Sequence, residues 1–104
     1  MTMQANELLQ RITSNKAPVL IDPRSPGEFK RGHIPGALNT PVYRLLLRTA
    51  PLPEDRNVEM VIACMHGQRA WLAKKILALQ GYRNTDLLEG YLQEWHRANL
   101  PWEQ

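Results

Sequence analysis

The chain has 104 residues, a formal net charge of +3, 43% hydrophobic residues and 22% charged residues, a composition typical of one folded domain, which we expect to span residues 1–104. A membrane-spanning helix needs about 20 apolar residues, and no apolar run approaches that length, so we expect no membrane as partner. The basic residues are dispersed, so we expect no nucleic acid as partner either. Cys64 is the only cysteine and the first residues lack a secretory-signal pattern, so we expect a cytoplasmic protein. We also expect a monomer.

Helical and extended patterns alternate in the first half of the sequence. Apolar residues at helical spacing predict an amphipathic helix over residues 5–12. The apolar run 19–21, which ends at Asp22, is typical of a short parallel strand buried on both faces. A second strand is predicted over 37–39. A second amphipathic helix begins at Val42 and ends before the prolines that follow it.

A clear helix start lies between these two strands. Ser25 can cap the helix, Pro26 fits its first turn, and Glu28 occupies the position from which a side chain caps in return. The helix is predicted to be very short and to end at Gly32, where a turn rich in glycine and proline begins. His33 lies in that turn, where we expect a structural hydrogen bond rather than catalysis.

The second half contains the most strand-like run of the chain, residues 58–63. A helix with a clear apolar face follows the cysteine loop: Leu72, Ala73, Ile76, Leu77 and Leu79. A last strand over 84–88 and a final helix that ends before Pro101 complete the pattern. All three tryptophans are interpreted as core or helix-docking residues: Trp71, Trp95 and Trp102. Strands alternating with helices predict an α/β fold, an open and mostly parallel sheet of four to five strands with helices on both faces.

The loop that starts at Cys64 has features that favour a thiolate. It follows a strand and enters a helix N-terminus, whose positive end attracts anions. Gly67 allows main-chain N–H groups to turn toward an anion, Arg69 adds a permanent positive charge, and His66 adds another when protonated. A buried structural cysteine is the alternative, but the carboxyl end of a parallel strand is where ligands bind, so we predict a reactive thiol. The histidines lack metal-site spacing, so no metal is expected.

With these residues in view, the chain resembles the small single-domain members of the rhodanese family. The stretches that carry the resemblance are LIDPR at 20–24, EFKRGHIPGA at 28–37, CMHGQRA at 64–70, and residues 81–82 together with 88–91 and Trp95. The resemblance implies a rhodanese-like fold and sulfurtransferase chemistry without a cofactor. In that chemistry the Cys64 thiolate takes the outer sulfur of thiosulfate, or of a related anionic donor, as a persulfide. Cyanide, glutathione or a protein thiol then accepts this sulfur.

The resemblance also assigns roles at matching positions. Cys64 is the nucleophile, and an active-site loop binds the anion and the persulfide through main-chain N–H groups. That loop consists of Met65, His66, Gly67, Gln68, Arg69 and Ala70. Asp22 and Arg24 are expected to support the site from the end of the first predicted strand, with a purely structural ion pair as the alternative. Met65 stands where the family often has arginine, which leaves the natural donor open.

Two other functional classes compete with this interpretation. A phosphatase or arsenate reductase of related fold needs five residues between cysteine and arginine, whereas four lie between Cys64 and Arg69. A non-catalytic rhodanese-like module, which binds or regulates partner proteins, commonly lacks the cysteine that this chain retains. Whether the sulfur serves detoxification or relay to another protein stays open, because the choice of acceptor depends on the surface around the thiol.

Overall fold

A computed structural model describes residues 2–65 and 67–104. In these residues five strands and five helices alternate along the chain. In chain order they are β1 (Thr2–Met3), α1 (Ala5–Thr13), β2 (Val19–Asp22), α2 (Pro26–Arg31), β3 (Leu38–Asn39), α3 (Val42–Leu46), β4 (Met60–Ile62), α4 (Gln68–Leu79), β5 (Thr85–Leu88) and α5 (Tyr91–Arg97).

All five strands form one parallel sheet in the order β1-β5-β4-β2-β3. The central strand, β4, pairs Val61 with Leu20 on one side and with Asp86 on the other. The chain moves from β2 outward to β3 and then returns to β4 on the other side of β2, so the direction of winding reverses between β2 and β4. In open α/β sheets, ligands bind at the carboxyl ends of the strands that flank such a reversal.

Helices cover both faces of the sheet, which confirms the predicted α/β architecture. Successive residues of β4 point to opposite faces: Met60 and Ile62 pack toward α3 and α4, and Val61 packs toward α1 and α5. All three side chains are fully buried, and each contributes about 1.5–3 kcal/mol to folding. Trp95 on α5 is also fully buried, as its assignment to the core predicted.

The N-terminal strand β1 was not predicted from the sequence. Thr2 and Met3 pair in parallel with Leu87 and Leu88 of β5, and Met3 is buried against the core. Two residues are too few to show an alternating pattern, so this strand depends on the sheet edge that β5 offers rather than on local preference.

The interpretation of α4 was partly wrong. Its buried residues are Ala70, Ala73, Ile76 and Leu77. Leu72 and Leu79, placed on the apolar face by their spacing, are 47% and 86% exposed, and Trp71, expected to be a core or helix-docking residue, is 54% exposed. The helix contacts the sheet through a narrow stripe with alanine at two positions, so its remaining large apolar residues face outward.

Candidate active site

Cys64 lies just beyond the carboxyl end of β4, at the point where the winding of the sheet reverses. The preceding residue is held by the bond from the Ala63 N–H to the Ile21 carbonyl, at 2.9 Å. The Leu92 N–H, from the first turn of α5, donates to the Cys64 carbonyl at 3.0 Å. Cys64 is only 2% exposed. Main-chain bonds to β2 and α5 therefore fix the position of the thiol-bearing residue.

Gly67 connects the cysteine loop to α4 and has a backbone conformation that favours glycine. Its φ of 92° and ψ of −24° lie in the left-handed region, and it is the N-cap residue of α4. A Cβ atom at this position would lie 2.7 Å from Cζ of the Tyr91 ring. Glycine therefore satisfies two requirements here, the turn itself and the close approach of Tyr91.

Tyr91 is a site residue that sequence reasoning missed. It begins α5, has a positive φ of 56°, and places its ring against Gly67. The sequence contains one indirect signal, since Gly90 immediately before it is typical of a sharp turn. Nothing in the local pattern indicates that the aromatic ring meets a glycine of the cysteine loop.

Arg69, in the first turn of α4, forms a two-point ion pair with Glu28 of α2. Its Nη1 donates to Glu28 Oε1 at 2.5 Å and its Nη2 donates to Oε2 at 3.0 Å. These bonds lower the pKa of Glu28 from 4.5 to about 2, with burial acting in the opposite direction. The pKa of Arg69 is raised, mainly by the bond to Glu28, with burial acting in the opposite direction and nearby Cys64 adding a smaller contribution. The arginine therefore lies close to Cys64.

Glu28 thus has two partners, of which the sequence predicted one. The predicted capping box of α2 is present: Ser25 Oγ accepts from the Glu28 N–H at 3.3 Å, and Glu28 Oε1 accepts from the Ser25 N–H at 3.1 Å. The same carboxylate binds Arg69, 41 residues further along the chain. The arginine expected to bind an anion is therefore already held by a carboxylate, and the cysteine loop is attached to α2 through that pair.

Asp22 and Arg24 form a buried ion pair beneath this region. Arg24 Nη2 donates to Asp22 Oδ2 at 2.8 Å and to the Gly32 carbonyl at 2.7 Å. Asn39 Nδ2 donates to the Arg24 carbonyl at 2.8 Å, which ties the end of β3 to the same loop. Asp22 and Gly32 thus engage the guanidinium, while Arg24 also lines the cavity beside Met65, so the supporting role of both residues stays a prediction.

A cavity of about 310 Å³ opens beside the cysteine loop and reaches it at Met65. Its lining is Arg24, Glu28, Arg31, Gly32, Met65, His96 and Trp102. Trp102 closes one side: a Cβ atom added to Gly32 would lie 1.7 Å from the Trp102 ring nitrogen, and the His33 and Glu103 main chains exchange two bonds of 2.9 Å. Of its charged lining residues, Glu28 is paired with Arg69 and Arg24 with Asp22, which leaves Arg31 as the basic side chain that can attract a small anion.

His33 has the structural role that its turn suggested. Its Nδ1 lies 2.8 Å from the Phe29 carbonyl, its Nε2 lies 3.2 Å from Glu103 Oε1, and its ring stacks on Phe29 at 3.7 Å. The imidazole therefore joins α2 to the C-terminal segment.

Three residues of the predicted active-site loop remain. Gln68 is exposed and Ala70 is buried, while His66 lies outside the described residues. The expectation that main-chain N–H groups of this loop hold a persulfide stays a prediction. Within residues 2–65 and 67–104, the structure groups no three His, Cys, Asp or Glu side chains as metal ligands, and it contains no helix long and apolar enough to cross a membrane.

A family model, related sequences and a solved structure agree on one family for this chain. The family model described as a rhodanese-like domain matches residues 4–98. A sulfurtransferase of Allochromatium vinosum is 35% identical over 99 residues, which cover 95% of this chain and 91% of the relative. A thiosulfate:glutathione sulfurtransferase of Saccharomyces cerevisiae is 31% identical, covering 86% of this chain and 73% of the relative. The structure of the human single-domain sulfurtransferase TSTD1 superposes with a TM-score of 0.78 at 30% identity, over 92% of this chain and 95% of that one.

Proposed function

This chain belongs to the rhodanese-like domain family, and from that premise we propose that it is a sulfurtransferase that carries sulfur on Cys64. The observation that supports this most is the position of the cysteine. Cys64 follows the central strand at the reversal point of the sheet, and α4 begins four residues later with Arg69 in its first turn. A helix N-terminus and a guanidinium both attract anions, such as an anionic sulfur donor.

The proposed reaction has two half-reactions. The Cys64 thiolate attacks the outer sulfur of thiosulfate, a new S–S bond forms, and sulfite leaves with the electron pair of the broken bond. An acceptor thiolate or cyanide then attacks the outer sulfur of the Cys64 persulfide, and the Cys64 thiolate is regenerated as the leaving group. Each step exchanges one bond to sulfur for another, so no external oxidant or reductant is needed.

Thiosulfate is proposed as the donor because it is a compact dianion. The cavity beside Met65 carries Arg31, which can attract such an ion. The loop itself has methionine rather than arginine after the cysteine, so α4, Arg69 and the cavity supply most of the local positive character. The yeast relative is a thiosulfate:glutathione sulfurtransferase, which supports a small thiol as one acceptor.

We propose that residues 1–104 act as one domain, that the protein is a monomer that works in the cytoplasm, and that it uses no cofactor. Cys64 is retained together with Gly67 and Arg69, which supports a catalytic protein over a purely binding module.

Intact-mass spectrometry tests the central step. After incubation with thiosulfate, the wild-type protein is expected to gain the mass of one sulfur atom and to lose it on addition of cyanide. Cys64→Ser removes the nucleophile and should gain nothing. If the wild type remains unmodified by thiosulfate and by other persulfide donors, the sulfurtransferase proposal fails.

A companion assay addresses the competing enzyme class. With p-nitrophenyl phosphate we expect no turnover, because the loop has one residue fewer between Cys64 and Arg69 than a phosphatase loop needs. Turnover that disappears in Cys64→Ser would restore the phosphatase alternative.

A further inference from the structure

Two neighbouring helices, α3 and α4, expose an unusual concentration of large apolar side chains. Among the described residues, every exposed large apolar side chain lies on α3, on its C-cap residue or on α4, with exposures from 47% to 86%. These residues are Tyr43, Leu46, Leu47, Trp71, Leu72 and Leu79, and we call them the α3–α4 face. Single exposed leucines are common on protein surfaces, but an apolar group of this size on one side of a molecule marks an interaction site.

Helical spacing and packing bring these residues together. Leu46 and Leu47 lie three and four residues after Tyr43, and Leu72 and Leu79 are seven residues apart, so each set lies on one side of its helix. The two helices pack against each other, and Gln80 Nε2 donates to the Leu45 carbonyl at 2.8 Å. The exposed sides of α3 and α4 are therefore neighbours, and Trp71, about 100° around α4 from Leu72, borders them.

This face continues to the cysteine loop. A cavity of about 250 Å³ lies between the two helices at the carboxyl edge of the sheet, and both Tyr43 and Leu72 line it. Arg69, five residues after Cys64 in the chain, lines the same cavity. A molecule bound on the α3–α4 face would thus reach the region of the proposed reactive thiol.

The charged side chains carried by the two helices have one sign. Residues 40–53 and 64–85 contain no aspartate or glutamate, whereas all ten acidic residues of the chain lie elsewhere. The same two segments carry six basic side chains: Arg44, Arg48, Arg69, Lys74, Lys75 and Arg83. Two carboxylates from other segments lie at the margins, Glu28 bonded to Arg69 and Glu54 in a cavity that Arg48 also lines. An apolar patch on helices whose own charges are all basic is complementary to an apolar patch that carries carboxylates.

We propose that the α3–α4 face docks a protein that takes sulfur from Cys64 and that presents a thiol beside apolar and acidic side chains. The proposal rests on the sulfurtransferase function and names the class of acceptor. The partner's thiolate attacks the outer sulfur of the Cys64 persulfide, a new S–S bond forms on the partner, and the Cys64 thiolate leaves. A second copy of this chain is a poor occupant, because pairing two such faces would bring Arg44 and Lys75 of both copies together.

Sulfur transfer to synthetic peptides tests this choice of partner. The probes are three short peptides with one cysteine each: one with leucines and glutamates, one in which lysines replace the glutamates, and one in which serines replace the leucines. With the persulfurated wild type, we expect kcat/KM for the leucine–glutamate peptide to exceed that for each of the others by about tenfold or more. Equal rates with all three peptides would overturn the proposal.

Variants of the face sharpen the test. Leu46→Gln/Leu72→Gln keeps good helix formers and should lower kcat/KM for the leucine–glutamate peptide by about tenfold, while transfer to cyanide stays unchanged. Arg44→Glu/Lys75→Glu should reverse the preference toward the lysine peptide. The matched control Lys16→Glu/Arg97→Glu makes the same change in net charge near α1 and on α5, across the sheet, and should leave the preference as in the wild type. A preference that none of these variants alters would place docking elsewhere and refute the proposal.

Binding without chemistry separates the two proposals. Calorimetry with Cys64→Ser protein and a leucine–glutamate peptide in which serine replaces cysteine should show binding that Leu46→Gln/Leu72→Gln weakens. If this binding is present but no persulfide forms, the sulfurtransferase function fails and the docking surface stands. If cyanide turnover is normal but this binding is absent, the docking proposal alone fails.

Sedimentation that shows a wild-type dimer dissociated by Leu46→Gln/Leu72→Gln would assign the face to self-association. Binding of the wild type, but not of that variant, to vesicles of phosphatidylcholine and phosphatidylserine would assign it to a membrane. Either result would overturn the proposal.

Discussion

The two sides of the sheet differ in how completely they cover their apolar residues. On the α1–α5 side, Leu8, Leu92 and Trp95 are fully buried, and the C-terminal segment adds Trp102 to the packing. On the α3–α4 side, the core is equally well buried at Leu45 and Leu77, but a second layer of large apolar residues faces outward.

This difference separates apolar residues that stabilise the fold from apolar residues available for binding. The cysteine loop lies between the two sides: α4 begins at its end, and the first turn of α5 binds the Cys64 carbonyl. The closed side therefore positions the loop, while the open side provides the surface that leads to it. Substitutions on each side, and at the junction between them, can test this division.

The largest contrast is expected between two tryptophans. Trp95→Ala removes a fully buried side chain and the bond from its ring nitrogen to the Pro101 carbonyl, so the free energy of unfolding should fall by about 3–5 kcal/mol. Trp71→Ala removes a mostly exposed side chain and should change that free energy by about 0.5 kcal/mol or less. Urea unfolding followed by circular dichroism measures both. Similar losses in the two variants would mean that the open side also stabilises the fold.

Gly67 tests the junction where the loop meets Tyr91. Gly67→Ala adds a Cβ atom 2.7 Å from the tyrosine ring at a positive φ. Gly36→Ala is the matched control, since its φ is 86° but nothing lies within 4 Å of the added atom. Both variants place an alanine at a positive φ, so the backbone strain is common to the two. We therefore expect Gly67→Ala to be less stable than Gly36→Ala by about 2 kcal/mol and to lose most sulfur transfer, while Gly36→Ala keeps it. Partial recovery of stability in Gly67→Ala/Tyr91→Ala would attribute the difference to the ring, and no recovery would argue against that contact.

Glu28 is expected to act on the loop through Arg69. Glu28→Gln removes the charge that holds the guanidinium and weakens the attachment of α4 to α2, so kcat/KM with thiosulfate and cyanide should fall by about three- to tenfold, or about 1 kcal/mol. Lys30→Gln changes one charge in the same short helix and should have little effect. If Glu28→Gln instead lowers KM for thiosulfate with kcat preserved, the carboxylate only offsets the charge of Arg69 and does not position the loop.

The smallest expected effect is the pH dependence of this ion pair. The folded-state pKa of Glu28 is lowered to about 2, below its ordinary value of 4.5, so the pair stabilises the fold fully above that ordinary value. Its contribution is lost as pH falls from 4.5 toward 2. Both side chains are about one-third exposed, so solvent screening limits the contribution to about 1 kcal/mol or less. The difference in urea midpoint between wild type and Glu28→Gln should therefore be present at pH 7 and shrink in this acidic range. A difference that grows on acidification would contradict this assignment.

Features that depend on a few neighbouring residues could be predicted from the amino-acid sequence. The alternation of strands and helices follows from apolar spacing, and the capping box of Ser25 and Glu28 follows from a four-residue pattern. The position of Cys64 at the end of a buried strand was readable for the same reason.

The contacts between those elements could not be predicted, because they depend on how the chain packs in three dimensions. The Arg69–Glu28 pair joins residues 41 positions apart, and the Gly67–Tyr91 contact joins two helix starts on opposite sides of the sheet. Strand β1 exists because β5 offers it an edge. Helical spacing placed Leu72 and Leu79 together on α4, but it could not tell the side that packs on the sheet from the side left open. That distinction depends on the distance and orientation of neighbouring elements, which no local pattern encodes.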